Sequence, residues 1–304
     1  MNHRPFPRGV RVADAERFVY STGRLLERRR LHLLLHGGGP DGVLTALGAY
    51  RNPDGGFGHG LEPDVRSPLS EPLSTLAALD LLAAWGLADH PWMRGGLEWA
   101  AAESGLDGSL PFVTEPSLAW PHAPWVQLLP GGSHLTYGYA AAALRTGFTG
   151  GWTEAAVEWC RSGLSDGLPA YAVKYALRFL SAVEETAAAA VPGAETVLRA
   201  WRTRLNAQGA LPVEGGAEGE RLCPWDLAVD PWALTGGAGA AGPAARRLFS
   251  GAALRADLER LTGDQHHDGG WQVDWPAWCP GQGLDWRGIR TVEMLHLFST
   301  ADPS

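Results

Sequence analysis

Cysteine is scarce in this sequence. Cys160, Cys223 and Cys279 are three in number and far apart, so no disulfide framework is expected and a reducing compartment is implied. Runs of basic residues are missing apart from Arg28-Arg29-Arg30, and the formal net charge is −8. Nucleic-acid binding needs a cationic patch, so no nucleic-acid partner is expected, and Arg28 to Arg30 are assigned to the solvated side of a first helix. No stretch reaches the roughly 18 uninterrupted apolar residues of a membrane span. The first ten residues contain Arg and Pro but no apolar segment of the signal-peptide kind. A cytoplasmic protein without an integral membrane segment is the expectation. Neither CxxC nor HExxH occurs, and the adjacent His266 and His267 have no further ligand at metal-binding spacing; no metal and no cofactor is expected. The Gly-rich run from Gly236 to Gly242 lacks the Lys-Ser/Thr of a phosphate loop and reads as a connector. Strand-like alternation is absent throughout.

What is abundant is glycine, proline and tryptophan, with 40, 22 and 14 residues. Many of these fall in connecting segments rather than in periodic ones, so the loops are built rather than merely long. The most regular feature is a recurring turn. Asp54-Gly55-Gly56-Phe57 is echoed by Asp268-Gly269-Gly270-Trp271, with weaker copies at Asp107-Gly108-Ser109-Leu110, Asp166-Gly167-Leu168 and Gln208-Gly209-Ala210-Leu211. An apolar helical stretch follows each one. Such repetition marks one supersecondary unit stacked on itself, and it favours one domain over residues 1–304, long enough to bury a sizeable core.

Two kinds of helix alternate along the chain. Trp152 to Arg161 places Trp152, Ala155, Ala156, Trp159 and Cys160 on one stripe, with Glu154, Glu158 and Arg161 elsewhere. Ala194 to Ala207 repeats the pattern with Val197, Leu198, Trp201 and Leu205 inward; Ala13 to Leu34 and Ala244 to Leu261 are similar. These are helices with one wet face. Leu73 to Gly86, Leu135 to Leu144 and Tyr171 to Val183 are instead apolar nearly all round, which requires burial on every side. Inner stretches precede outer ones, as Leu73–Gly86 precedes Trp92–Glu103. The pattern predicts an all-α closed double ring of helical hairpins, an α/α toroid of about 10–12 helices. Three Trp-rich loops, 117–125, 223–232 and 273–280, are expected to gather at one mouth of the ring.

The run Gly55-Gly56-Phe57-Gly58-His59-Gly60, the acidic Pro-containing loop after it, and Leu73-Ser74-Thr75-Leu76-Ala77-Ala78-Leu79 together resemble the repeat of the terpenoid cyclase and protein prenyltransferase superfamily. Asp268 to Trp271 through Thr291-Val292-Glu293-Met294-Leu295 resembles the same unit. The resemblance implies the toroid and a central apolar cavity. Cyclases of the squalene–hopene type protonate an alkene with the middle Asp of an Asp-x-Asp-Asp motif. Pro63-Asp64-Val65-Arg66-Ser67 matches its first Asp, but Arg66 and Ser67 stand where the acid pair belongs. The Asp-x-Cys zinc pair of protein prenyltransferases does not occur.

Several residues are then candidates. Glu62, Asp64 and Glu71 form a carboxylate cluster at the expected mouth, where burial and like-charge crowding raise a carboxyl pKa and make a general acid available. Against that, Ser70-Glu71-Pro72 is also a plain helix start. Trp120, Trp125, Trp225, Trp232, Trp275, Trp278 and Trp286 supply either an aromatic wall that stabilises positive charge or seals between loops and rim. Asp226, Asp230, Asp274 and Asp285 accompany them, as carboxylates do in carbohydrate sites, although Asp230-Pro231 also fits a cap. His59 enters the mouth or fixes its own loop. Tyr137 lies on an inner helix. Arg287 and Arg290, with Lys174 and Arg178 at i, i+4, are candidate anion contacts, because cations on an apolar helix are costly unless paired.

The reading is a terpenoid cyclase/prenyltransferase-like enzyme. It takes an isoprenoid or other apolar small molecule into the cavity for acid-initiated cyclisation or isomerisation, with one of Glu62, Asp64 and Glu71 as proton donor. Two alternatives stay open: a non-catalytic ligand-binding toroid, motivated by Arg66-Ser67, and a carbohydrate-active enzyme on a related ring, motivated by the Trp-Asp loops.

Overall fold

Helix is nearly the only regular structure in the computed structural model, which describes residues 5–235 and 239–302. In chain order the helices are α1 (Val12–Thr22), α2 (Leu25–His36), α3 (Asp41–Gly48), α4 (Pro72–Ala84), α5 (Pro91–Glu103), α6 (Leu135–Thr146), α7 (Gly151–Gly163), α8 (Ala170–Glu185), α9 (Ala194–Gln208), α10 (Pro224–Ala228), α11 (Pro243–Leu248), α12 (Gly251–Gly263) and α13 (Pro280–Thr300). Short 3₁₀ turns at Glu115–Ala119 and Pro231–Thr235 and a two-residue hairpin, Leu211–Pro212 against Arg221–Leu222, complete the described elements.

The chain is an all-α toroid. α4, α6, α8 and much of α13 are buried around their circumference, whereas α7 buries only Thr153, Ala156, Val157 and Cys160, and α9 only Leu198, Trp201 and Leu205. α4 packs on α6 and α6 on α8; the 231–235 turn bridges α4 to α13, and α13 returns to α1 and α2. The inner helices run parallel. His134 stacks on Tyr171 and Tyr175 at the start of α6 and α8, while Arg145 and Glu185 pair at their ends. The starts of α6 and α8 thus lie at one end of the ring and their last turns at the other. At the seam, Arg11 donates its backbone N–H to Gln265 Oε1 at 2.8 Å.

The recurring turn is a lock between rings. In its three Asp-containing full copies the Asp carboxylate accepts the N–H two residues on, Gly56, Ser109 or Gly270, at 3.0–3.1 Å. Gly55, Gly108 and Gly269 have positive φ, and a Cβ on any of them would fall within 2.7 Å of the backbone of α5, α7 or α1, so only glycine fits. The next apolar residue then donates its N–H to a threonine hydroxyl on an inner helix: Phe57 to Thr75 at 2.9 Å, Leu110 to Thr136 at 2.9 Å and Trp271 to Thr291 at 3.1 Å.

Three details differ from the sequence expectation. The stretch 13–34 is two helices, parted at Gly23, whose Cβ would meet Val19 O at 2.8 Å. The stretch 244–261 is also two, because Ser250 starts α12 by accepting the Ala253 N–H. α3 is an additional short helix. In the Gly-rich connector, 236–238 lie outside the described residues; Ala240 and Ala241 are buried, with the Asp230 backbone N–H donating to Ala240 O at 3.0 Å.

Candidate functional site

The acidic loop between Gly58 and Glu71 is anchored from α2. Arg24, gripped by the buried Glu27 at 2.9 Å on both nitrogens, donates to Gly60 O and Leu61 O at 2.9 Å. Ser74 Oγ accepts the Glu62 backbone N–H at 3.1 Å. The first Trp-rich loop is zipped onto the acidic loop: Arg66 N–H donates to Pro121 O at 2.9 Å and Ala123 N–H to Asp64 O at 2.8 Å.

Asp64 is the hub of this collar. Its Oδ1 accepts from Gln282 Nε2 and Trp286 Nε1, each at 2.8 Å, and its Oδ2 accepts from Trp125 Nε1 at 2.7 Å. Trp275 stands edge-on to Trp286 at 5.4 Å. Trp278 packs on Val65, Val113, Ala123 and Val126. The indole nitrogens of Trp275 and Trp278 are buried with no hydrogen-bond partner. The collar therefore brings together Asp64, Trp125, Trp275, Trp278 and Trp286 from three segments; Trp125 is still partly open to solvent, and Trp120, also exposed, makes no bond to Asp64. Arg66, in the place of the expected acid pair, forms an ion pair with Asp285 of α13 at 2.8 Å.

Other candidates have structural positions. Glu71 is the N-cap of α4: its oxygens accept from Leu73 N at 2.8 Å and Ser74 N at 2.6 Å. Burial outweighs these bonds and raises its pKa to about 7. His59, at φ 55, is exposed and its Nε2 lies 3.0 Å from Asn52 Oδ1, so it fixes its own turn and does not enter the ring. Tyr137 points outward to Trp159 of α7, with ring centres 5.6 Å apart, because a helix buried on all sides has an outer face as well as an inner one. Trp225 is core, its N–H on Leu254 O of α12 at 2.8 Å. Asp230 and Trp232 lie at the opposite end from the collar: Asp230 pairs with Arg145 at 2.6 Å, and the Arg145 guanidinium covers the Trp232 ring at 5.5 Å. Arg287 clamps Asp268 at 2.8 Å and lies over Phe18, so it belongs to the seam. Asp226, Asp230 and Asp285 each form an ion pair with an arginine, and Asp230 lies at the opposite end of the ring from Asp285.

The inner helices enclose the ring's interior, a chamber whose wall carries charged side chains as well as the apolar ones that the resemblance implies. Glu293 sits mid-way along α13 between the buried Val292 and Met294, yet it is solvent-accessible. Its charge acts on Arg30 of α2, Glu62 of the acidic loop, Lys174 and Tyr175 of α8, and Arg290 of its own helix. That reach across α2, the acidic loop and α8 is consistent with a place on the inner face of α13. Arg178 pairs with Asp80 of α4 at 2.6 Å, and Arg290 with Asp226 at 2.7 Å. Among the described residues the side chains of Glu62, Lys174 and Glu293 have no hydrogen bond or ion pair. Burial first, then the charges of Asp64, Glu71 and Glu293, hold the Glu62 carboxyl well above its ordinary range, against the pull of Arg24. Burial makes His134 at the mouth neutral, lowering its pKa to about 4.

Glu293 and Glu27 were not anticipated. The sequence signal for Glu293 is a single acid in the otherwise apolar run 291–295. Among the described residues no group of three or more His, Cys, Asp or Glu side chains could hold a metal ion, and no helix is long and apolar enough to cross a membrane. Two surface clefts, about 300 Å³ beside α9 and Arg247 and about 460 Å³ between Asn52 and Pro116, lie away from the chamber residues.

Solved structures share this architecture. A protein from Actinoplanes matches with a TM-score of 0.56 at 17% identity, over 94% of this chain and 97% of that one. The type II terpene cyclase MstE from Scytonema, without ligand, matches with a TM-score of 0.53 at 14% identity, over 95% and 96%. A variant of MstE in complex with geranylgeranyl dihydroxybenzoate, its substrate, matches with a TM-score of 0.55 at 15% identity over the same shares. No protein-family profile and no curated protein sequence matches. At such identities the likeness is one of fold.

Proposed function

We propose that the chain takes an isoprenoid or similarly apolar small molecule into the chamber and starts its cyclisation or isomerisation by proton transfer from Glu62. The observation that carries this reading is the state of Glu62: an unpartnered carboxyl, facing the interior, whose pKa is held well above the ordinary carboxylate range. Burial that raises a carboxyl's pKa holds its proton to higher pH, which suits a general acid. Asp64 then acts as a positioning residue, with both oxygens used to draw Trp125, Trp286 and Gln282 into the collar. Glu71 caps α4 and adds negative charge beside Glu62. The indole faces of Trp275 and Trp286 suit a developing cation. The toroid common to this chain and a terpene cyclase seen with a geranylgeranyl substrate adds support.

The test is turnover of geranylgeranyl diphosphate and of a geranylgeranyl-substituted phenol, with products separated by mass spectrometry. Glu62→Gln is expected to lower turnover at least about 100-fold while leaving the thermal midpoint near that of the parent. Unchanged turnover in that variant overturns the assignment.

The Arg66–Asp285 ion pair favours a second reading, a ligand-binding toroid without catalysis, because a fixed cation stands where the resemblance calls for an acid. Its mark would be a lipid that stays bound in native mass spectrometry and is recovered unchanged.

A further inference from the structure

Lysine occurs once in the 304-residue sequence, at position 174; the remaining 24 of the 25 basic residues are arginine. The two differ in one respect that matters inside a chamber. A guanidinium stays protonated at any working pH, whereas a buried ammonium can lose its proton and become a nucleophile. The chain therefore uses arginine wherever it needs a fixed charge and places its one deprotonatable side-chain amine on the inner helix α8.

The surroundings distinguish Lys174 from the other cations of the wall. Arg178, one turn further along α8, is held by Asp80 at 2.6 Å, and Arg290 by Asp226 at 2.7 Å. Lys174 has no such partner and remains partly accessible to the interior. Burial, then the charge of Arg178, lowers its pKa; Asp226 and Glu293 pull the other way, Arg290 adds to the lowering, and the amine ends at about 8. His134 and Asp80 also lie within its field. A desolvated lysine beside other cations is a standard way to activate an amine towards carbonyl carbon.

We infer that Lys174 is a nucleophilic amine that forms an imine with the aldehyde or ketone group of an apolar small molecule held in the chamber. The nitrogen lone pair attacks the carbonyl carbon, and the C=O π pair moves to oxygen. Glu293, also without a partner, relays two protons from nitrogen to oxygen, the first as the carbinolamine forms and the second as its hydroxyl departs. Water leaves as C=N forms, and no electrons are gained or lost overall. The inference goes beyond the proton-transfer role of Glu62 and does not depend on it.

The single lysine makes the test specific. The folded protein is incubated at about pH 7.5 with citral, an apolar branched aldehyde, and sodium cyanoborohydride, which reduces an imine to a stable secondary amine. Intact mass and peptide mapping then report which of two primary amines, Lys174 or the chain's terminal amine, is modified. One reduced adduct at Lys174 is expected, formed at least about tenfold faster than on free Nα-acetyl-lysine, since a pKa of about 8 exposes far more neutral amine than one of 10.5. Lys174→Arg should carry label at the terminal amine alone. Glu293→Gln should slow labelling about 10- to 100-fold with an unchanged thermal midpoint. Label confined to the terminal amine of the parent protein, or a Lys174 rate no faster than that of Nα-acetyl-lysine, overturns the inference and leaves the Glu62 assignment untouched.

Discussion

Trp286 donates its indole N–H to Asp64 Oδ1 at 2.8 Å, joining α13 to the acidic loop across 222 positions of sequence. Gln282 and Trp125 donate to the same carboxylate. One side chain therefore determines whether the mouth of the ring is assembled. Asp64→Asn keeps the size but replaces one acceptor oxygen with an NH₂, which must face an N–H donor. Hydrogen bonds to a charged group and the cost of leaving a buried donor unpaired predict a loss of about 2–4 kcal/mol. Trp286→Phe, which removes one donor, should cost about 1 kcal/mol. Urea unfolding measures both; an Asp64→Asn protein as stable as the parent would show that the collar does not rest on the carboxylate.

The turn locks predict a second pattern. Thr75, Thr136 and Thr291 each receive a buried backbone N–H through the hydroxyl oxygen. Replacing any one by Val keeps the shape and strands that N–H, at a cost of about 1–3 kcal/mol. The three locks lie in different hairpins, so the double variant Thr75→Val/Thr291→Val should lose about the sum of the singles. Clear non-additivity in chemical denaturation would mean that the two ends of the repeat are coupled through the seam.

These locks explain why the fold was legible. Asp54 and Asp268 fix their own turns through local bonds, Gly55 and Gly269 occupy backbone conformations that suit glycine, and the inner helices are apolar on every face. All of that is encoded within short windows. The collar was partly legible because an acidic loop and loop tryptophans are unusual separately. The chamber was not. Glu62 and Glu293 come together only when the ring closes, and in sequence Glu293 resembles a surface acid on a helix. That Tyr137 packs on Trp159 was not readable, because circumferential burial does not say which face of a helix looks inward. Of the two positions open for His59, its positive φ selects the one in its own turn, with the ring on Asn52.

Glu71 should give stability a pH dependence. Its pKa is about 7 in the folded chain, against 4.5 as its ordinary value. Between those values the folded state binds more protons than the unfolded one, so stability falls as pH rises through that window. Glu62, also raised, acts in the same direction. Glu71→Gln should retain an acceptor at the N-cap of α4 and remove one titration, giving a smaller drop in thermal midpoint from about pH 5 to pH 8 than the parent shows. Parallel midpoint curves for the two proteins would show that the Glu71 carboxyl does not titrate differently on unfolding.

The far end of the ring is closed by charge. Arg145 reaches Asp230 with two nitrogens, at 2.6 and 3.3 Å, and Glu185 with a third at 2.7 Å; the Arg145 and Asp230 side chains are only 5% and 2% exposed. Taking such a pair out of water is costly, so its net contribution is small, but removing one member leaves a bare charge in the interior. Arg145→Met should therefore lose about 3–5 kcal/mol. Adding Asp230→Asn should restore part of that loss, because the remaining group no longer carries charge and still accepts the Trp232 backbone N–H that Asp230 Oδ1 takes at 3.1 Å. A double variant less stable than Arg145→Met alone would mean that Asp230 stabilises the corner mainly as a cap and not as a counter-charge.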